Sequence, residues 1–394
     1  MNTGLRHYLT ITLGYWAFTL TDGAIRMLVV LYFHQLGYQP LEIAMLFLFY
    51  EFFGVVTNLI GGWLGARIGL NATMHIGMAM QVVALGMLGV DAASLTVPYV
   101  MAAQALSGIA KDLNKMSAKA SVKLMVAENS DARLFRWVAV LTGSKNSLKG
   151  AGFFIGAALL AGLGFDGAVI GMAALLAVVL IVTWVLLPGD LGKTAAKPKF
   201  TQIFAKTPAV NWLSAARFFL FGARDVWFVV GLPVFLSEAL GWAYMEVGGF
   251  LALWIIGYGV IQASAPKLIR RAEPDGSSAT TLAFVLAAVP ALIALALHRG
   301  IEPTWVLIVG LALFGIVFAL NSAVHSYLIV AWSDREKVSM NVGFYYMANA
   351  GGRLAGTVLS GWVYQNHGLA GCLLYSTLFI ALAGTLSMKL PRTN

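Results

Sequence analysis

Twelve long apolar runs follow one another along the chain, separated by short polar connections. They fall at about 8–33, 41–63, 73–91, 96–114, 134–160, 167–187, 209–236, 244–265, 279–297, 304–326, 338–363 and 369–388. Each is close to the roughly 20 residues that a helix needs to cross the hydrocarbon of a bilayer. The runs are continuous and do not alternate at every second residue, which separates them from the strands of a membrane barrel. The pattern predicts twelve transmembrane helices. The first run carries Asp22 and Arg26 and lacks a small-residue cleavage site, so it reads as a helix and not as a removable leader.

Composition sharpens this picture. The 394 residues are 59% apolar and 11% charged, with a mean hydropathy of +0.81. A soluble domain has about 45–50% apolar and about 25% charged residues, so a soluble fold is excluded. The 42 glycines suit close helix packing in lipid. A formal charge of +9 would raise nucleic acid as a partner in a soluble chain. Here the bases lie in particular connections: Arg6, Arg67, Arg133, Arg136, Lys193, Lys197, Lys199, Lys206, Lys267, Arg270, Arg271, Arg335, Lys337, Lys389 and Arg392 fall at the termini or in the even-numbered loops. The odd-numbered loops carry Asp91, Asp166, Glu238 and Glu302, with Arg299 as their strong base. The positive-inside rule then places both termini in the cytoplasm, and no nucleic-acid partner is expected. Cys372 is the single cysteine, and the six histidines show no metal-ligand spacing, so no disulfide within the chain, metal or cofactor is expected.

The longest hydrophilic connection, 188–206, divides the sequence into halves of six helices each, 1–187 and 207–394. A repeat supports the division. Gly37, Tyr38 and Glu42 recur as Gly241, Trp242 and Glu246, an offset of 204 residues, and the same offset carries Lys149 onto Arg353 and Gly152 onto Gly356. Acids also favour helix N-termini, which is sufficient reason for Glu42 and Glu246 taken alone. Parallel halves built from nested three-helix units resemble the architecture of major facilitator superfamily transporters.

Eleven charges lie well inside spans: Arg26, Lys111, Lys145, Lys149, Arg217, Arg224 and Arg353 against Asp22, Glu51, Asp112 and Asp225. Exposed to lipid at the bilayer centre they would cost about 30 kcal/mol together, so they must face one another or a cavity. They occupy spans one, two, four, five, seven and eleven, while spans three, six, nine and twelve carry none in their cores. Asp22 and Arg26, four apart, are expected to neutralise each other. Asp225 is expected to orient Arg224, leaving Arg217 the freer ligand, and Asp112 adjoins Lys111. Lys145 and Lys149 share a helix face with no acid within a turn, which predicts a solute anion or a carboxylate from another helix as their partner. Asn341, Tyr345, Asn349 and Arg353 form a stripe at four-residue steps, with a guanidinium fork suited to a phosphate-like group. Lys115, Lys119 and Lys123 read as a solvated helix end or inner vestibule, and His325, four from Asn321, as a packed histidine. Glu51 has only apolar or aromatic neighbours on its own helix. It is expected to carry a proton inward from the outside, with Asp22 the next candidate.

GGWLGARIGLN, residues 61–71, resembles the facilitator signature at Gly62, Arg67 and Gly69, but Ala66 replaces its acid and Leu70 and Asn71 its later bases. Helix five, with Gly150, Gly152 and Gly156 and no proline, partly resembles the antiporter glycine motif. The segments YWAFTLTDGAIRMLVV, FLFYEFFGVVTNL, SGIAKDLNKMSAK, LTGSKNSLKG and SAARFFLFGARDVWFVVGLPVF together resemble the ArsJ-type organoarsenical efflux permeases. That resemblance implies an all-α facilitator fold of twelve helices in a bacterial inner membrane. It further implies export of 1-arseno-3-phosphoglycerate, a product of glyceraldehyde-3-phosphate dehydrogenase acting with arsenate. Transport is expected to be driven by proton entry, in a chain acting as a monomer. The expected substrate ligands are Arg26, Lys111, Lys145, Lys149, Arg217, Arg224, Tyr345, Asn349 and Arg353, with Glu51 and Asp22 handling protons and Asp112 and Asp225 orienting charge. An organophosphate–phosphate exchanger of the same fold would use similar groups. A membrane-embedded transferase would need a nucleophile–base or metal constellation, which the sequence does not offer.

Overall fold

Backbone amides and carbonyls have no water to pair with in lipid, so each apolar run closes its own hydrogen bonds as a helix. The computed structural model describes residues 3–37, 46–126, 131–189, 191–193, 207–242, 244–269 and 273–392. Tyr38, Glu42 and most of the 188–206 connection lie outside them. Among the described residues twelve long helices follow in order: α1 (Thr3–Gln35), α2 (Leu48–Ile68), α3 (Leu70–Leu88), α4 (Val97–Met125), α5 (131–163), α6 (165–186), α7 (Pro208–Phe228), α8 (Tyr244–Leu268), α9 (Gly276–His298), α10 (Pro303–Ala331), α11 (338–367) and α12 (369–387). A short turn, Gly231–Val234, and a wider one, Phe235–Ala239, prolong α7.

Two joints are single glycines. Gly164, at φ 68°, separates α5 from α6, and Gly368, at φ 62°, separates α11 from α12. Both stand in the left-handed region that an L side chain rarely adopts, and they are themselves 204 residues apart. Gly37 and Gly241, another such pair, also have positive φ. The starts of α9 and α10 carry side-chain caps of known type. Asp275 and Ser278 form a capping box on α9. Glu302 accepts from the Thr304 and Trp305 amides at the start of α10, and the Trp305 backbone amide, followed by Thr304, holds its carboxyl below the usual carboxylate range.

The helices form two compact units. The first comprises Met1–Ser130, Ser144–Ala205 and Ser333–Met347. In it α4 packs on α1, α2 and α3, with Ser107 donating to Gln81 at 2.7 Å across α3 and α4. The start of α11 belongs to this unit. A Cβ on Gly62 would meet the Ser339 carbonyl at 2.8 Å, and Arg335 donates to the Val126 carbonyl at 2.7 Å. The second unit comprises Asp131–Gly143, Lys206–Trp332 and Ala348–Asn394. Here α10 packs on α7, α8 and α9 around Trp227, Phe314 and Phe318. The start of α5 belongs to this unit, where a Cβ on Gly143 would fall 2.3 Å from the Ala263 amide nitrogen.

One crossing occurs in both units. In the first, Gly23 of α1 meets Gly152 of α5, and a Cβ at Gly152 would stand 2.9 Å from the Leu20 carbonyl. In the second, Gly222 of α7 meets Gly356 of α11, where a Cβ would stand 2.5 Å from the Gly222 carbonyl. Gly152→Val is therefore expected to destabilise the first unit by about 1–3 kcal/mol through overpacking against backbone. Gly171→Ala, on a face of α6 with open space, should leave the thermal midpoint of the detergent-purified protein unchanged or slightly raised.

Candidate functional site

In the first unit the charged groups of α1, α2, α4 and α5 meet around Tyr50. Its hydroxyl donates to Asp22 Oδ1. Arg26 stacks on its ring, Cζ 4.0 Å from the centroid, and Lys111 Nζ stands 3.8 Å from the same centroid. Arg26 Nη2 donates to Glu51 Oε1 at 2.8 Å, and Lys111 Nζ lies 3.9 Å from Glu51 Oε2. Asp112 draws in Lys111 at 3.8 Å and Lys115 at 2.5 Å. Lys149 Nζ lies 3.6 Å from Asp22 Oδ2, and Lys145 Nζ reaches Asn146 Oδ1 at 3.4 Å. A charge one helical turn from an opposite charge is weakly held in water; buried and surrounded by apolar walls, the same pair is far more strongly bound.

The second unit has a simpler centre. Asp225 of α7 is fully buried and serves two arginines: Arg224 Nη2 at 2.5 Å from Oδ1, and Arg353 Nε of α11 at 3.0 Å from Oδ2. Arg217 is buried as well, its Nε donating to Asn349 Oδ1 at 2.8 Å and its Nη1 to Ser322 Oγ at 3.1 Å. Phe221 lies beneath both α7 arginines, 3.7 Å from Arg217 Cζ and 5.2 Å from Arg224 Cζ. Gln262 donates to the same Ser322 hydroxyl at 3.0 Å. His325 is fully buried, and neither of its ring nitrogens has a hydrogen-bond partner among the described residues.

Several expectations change on this geometry. Arg26 makes its ion pair with Glu51 and not with Asp22, because α2 brings a carboxylate nearer than the next turn of α1 does. Glu51 consequently stands between two cations from other helices, beside the apolar neighbours of its own helix. Lys149 has an acidic partner from another helix, Asp22. Arg217 is the most enclosed of its set, not the freest, whereas the Arg353 side chain is 31% exposed. Tyr345 is fully buried against Tyr346, with ring centroids 5.3 Å apart. Lys115 and Lys119 are not a solvated helix end: Lys119 is buried, and both lie over the Tyr346 ring, at 4.4 Å and 5.4 Å. Sequence reasoning missed Tyr50, Tyr346, Ser322 and Gln262. Tyr50 had one usable signal, a phenol adjoining an intramembrane acid.

Twelve helices in two units, with buried ionic centres of net positive charge, define a multi-pass membrane transporter. Residues 11–299 match the Major Facilitator Superfamily, and the chain belongs to that superfamily. Solved structures agree in fold. The human organic anion transporter MFSD10 superposes with a TM-score of 0.78 at 15% identity, over 98% of this chain and 100% of its own. A bacterial homologue of the iron transporter ferroportin, in an outward-facing state, gives 0.78 at 15% identity over 99% of each chain. The E. coli fucose:proton symporter FucP gives 0.76 at 13% identity over 98% of this chain and 99% of its own. Among curated protein sequences there is no match.

The Lys149–Asp22 pair sets a prediction for stability. Lys149→Ala removes the ion-pair partner of a buried carboxylate, and is expected to lower stability by about 3 kcal/mol, the low end of the cost of breaking a buried pair. Asp22→Asn in the same chain should recover most of that loss. Thermal unfolding of the single and double variants in detergent measures both.

Proposed function

We propose that the protein exports a small, multiply anionic organoarsenical, 1-arseno-3-phosphoglycerate, across the bacterial inner membrane and so confers resistance to arsenate. The observation that carries the anionic substrate is the charge balance of the two centres. Arg26, Lys111, Lys115, Lys145 and Lys149 stand against Asp22, Glu51 and Asp112, and Arg217, Arg224 and Arg353 stand against Asp225. Among the described residues, the five bases named in the first centre exceed its three acids by two, and the three named in the second exceed its one acid by two. Such an excess inside a membrane is costly unless anions visit it.

Each unit offers guanidinium donors, and a guanidinium grips a tetrahedral oxyanion through two hydrogen bonds. Arg26, Lys111, Lys145 and Lys149 are assigned to ligand duty in the first unit, and Arg217, Arg224, Asn349 and Arg353 in the second. Asp112 and Asp225 fix the cations beside them. Tyr345 supports its neighbours by packing. Proton coupling is assigned to Glu51 and Asp22, the carboxylates that share partners with those ligands. Both termini lie in the cytoplasm and the unit of function is the monomer. An inside-negative membrane potential favours anion exit by about 2.3 kcal/mol per charge per 100 mV, so outward transport is the favoured direction.

Expression is expected to lower cellular arsenic under arsenate exposure only when glyceraldehyde-3-phosphate dehydrogenase and its triose phosphate are available. Equal protection against free arsenite without the dehydrogenase would overturn the assignment. Everted vesicles supplied side by side with the organoarsenical and with 3-phosphoglycerate plus internal phosphate distinguish export from organophosphate–phosphate exchange. Arg353→Lys should reduce uptake at least about tenfold, since an ammonium cannot reproduce both the Asp225 contact and a forked oxyanion contact.

A further inference from the structure

The second unit carries a group of polar side chains that its ion pairs do not use. Ser214 of α7 and Asn321, His325 and Ser326 of α10 are all buried. Among the described residues, the Ser214 and Ser326 hydroxyls, both amide atoms of Asn321 and both ring nitrogens of His325 have no hydrogen-bond partner. A buried polar atom left so costs free energy, and in a membrane no water reaches it through lipid. The group lies beside Arg217 on two packed helices. Ser214 comes one turn before Arg217 on α7, and Arg217 Nη1 donates at 3.1 Å to Ser322, which adjoins Asn321 and stands one turn before His325 on α10. The mixture of donors and acceptors selects the chemistry of a partner. An amide offers donors and an acceptor, a neutral imidazole one of each, and a hydroxyl both. An oxyanion would pair the donors and leave Asn321 Oδ1 and one imidazole nitrogen bare. A cation would do the reverse. An O–H group donates and accepts, so it suits the whole set.

We propose that Ser214, Asn321, His325 and Ser326 form a hydroxyl-binding subsite beside Arg217, which takes a hydroxyl of the solute whose oxyanion Arg217 holds. This rests on the reading of the protein as an anion transporter. Water carries the same O–H chemistry, and the test separates the two. In the orientation given above, Ser214 and His325 lie on the cytoplasmic side of Arg217, each six residues inside its helix end, at Pro208 and at Ala331. An exported solute enters from that side. The group is enclosed, so the solute reaches it when α7 and α10 part at that end. The pseudo-repeat gives the subsite its contrast. Aligned end to end, the 29-residue helices α4 and α10 place Lys115 and Lys119 at the positions of Asn321 and His325. The first unit thus offers ammonium groups where the second offers neutral ones. The bases select an anion, and the neutral group selects among anions. An analogue without the hydroxyl is rejected because it leaves these buried atoms unpaired.

The test uses the full-length protein in nanodiscs and two probes of equal charge. One is 3-phosphoglycerate, which carries a hydroxyl between its charged ends; the other is 3-phosphonooxypropanoate, which differs only in lacking it. Both are titrated calorimetrically at one pH. The wild type is expected to bind the hydroxylated probe at least about tenfold more tightly. Asn321→Leu and His325→Leu should each bring the two affinities to within about twofold, chiefly by weakening the hydroxylated probe. Equal affinities in the wild type overturn the subsite, assign the seam to water alone and leave the anion-transporter reading intact. A wild-type preference that survives undiminished in both leucine variants overturns the subsite too. Binding of neither probe to the wild type overturns the anion-transporter reading, and the subsite with it. Ser326→Ala removes one hydroxyl without adding bulk and serves if the leucine variants do not fold: the preference should fall at least about threefold, and an unchanged ratio overturns the subsite.

Discussion

The structure depends on a base–aspartate pair placed beside a glycine crossing, and it occurs once in each unit. Lys149 reaches Asp22 next to the Gly23–Gly152 contact of α1 and α5. Arg353 reaches Asp225 next to the Gly222–Gly356 contact of α7 and α11. The two features need each other. Without glycines the backbones could not approach closely enough for a side chain on one helix to reach a carboxylate on the other. Without the opposite charge, each group would carry an uncompensated charge into a low-dielectric interior at high cost. The pairs fix the register of the helices that present the remaining bases.

Aromatic rings do the second part of the positioning. Tyr50, Phe221 and Tyr346 lie under Arg26 and Lys111, under Arg217 and Arg224, and under Lys115 and Lys119. A ring face attracts a cation without supplying a full negative charge. It therefore holds a base in place while leaving its charge to be used by a solute. The acids, by contrast, neutralise what they hold. The difference explains how a centre can be ordered and still carry an excess of positive charge.

Much of this was legible in the chain. The twelve passes followed from run length, because an apolar segment of that length in lipid has to be a helix. The offset of 204 residues linking Gly37 with Gly241 and Lys149 with Arg353 also holds for the glycine joints at Gly164 and Gly368, which carry the same positive φ for the same reason, a tight turn between paired helices. The intramembrane charges were identified from insertion cost alone, before any partner was known.

What spacing could not supply was the identity of the partners. The four-residue rule joined Asp22 to Arg26, but both found closer partners on other helices, Lys149 and Glu51. Along a single helix, Glu51 had only apolar company, and Lys149 had no acid within a turn. A sequence determines which groups share one helix face, since that follows from 3.6 residues per turn. Which face meets which is decided only when glycine contacts set the distance and register of one helix against the next. At that scale, a step of one residue moves a carboxylate from one cation to another.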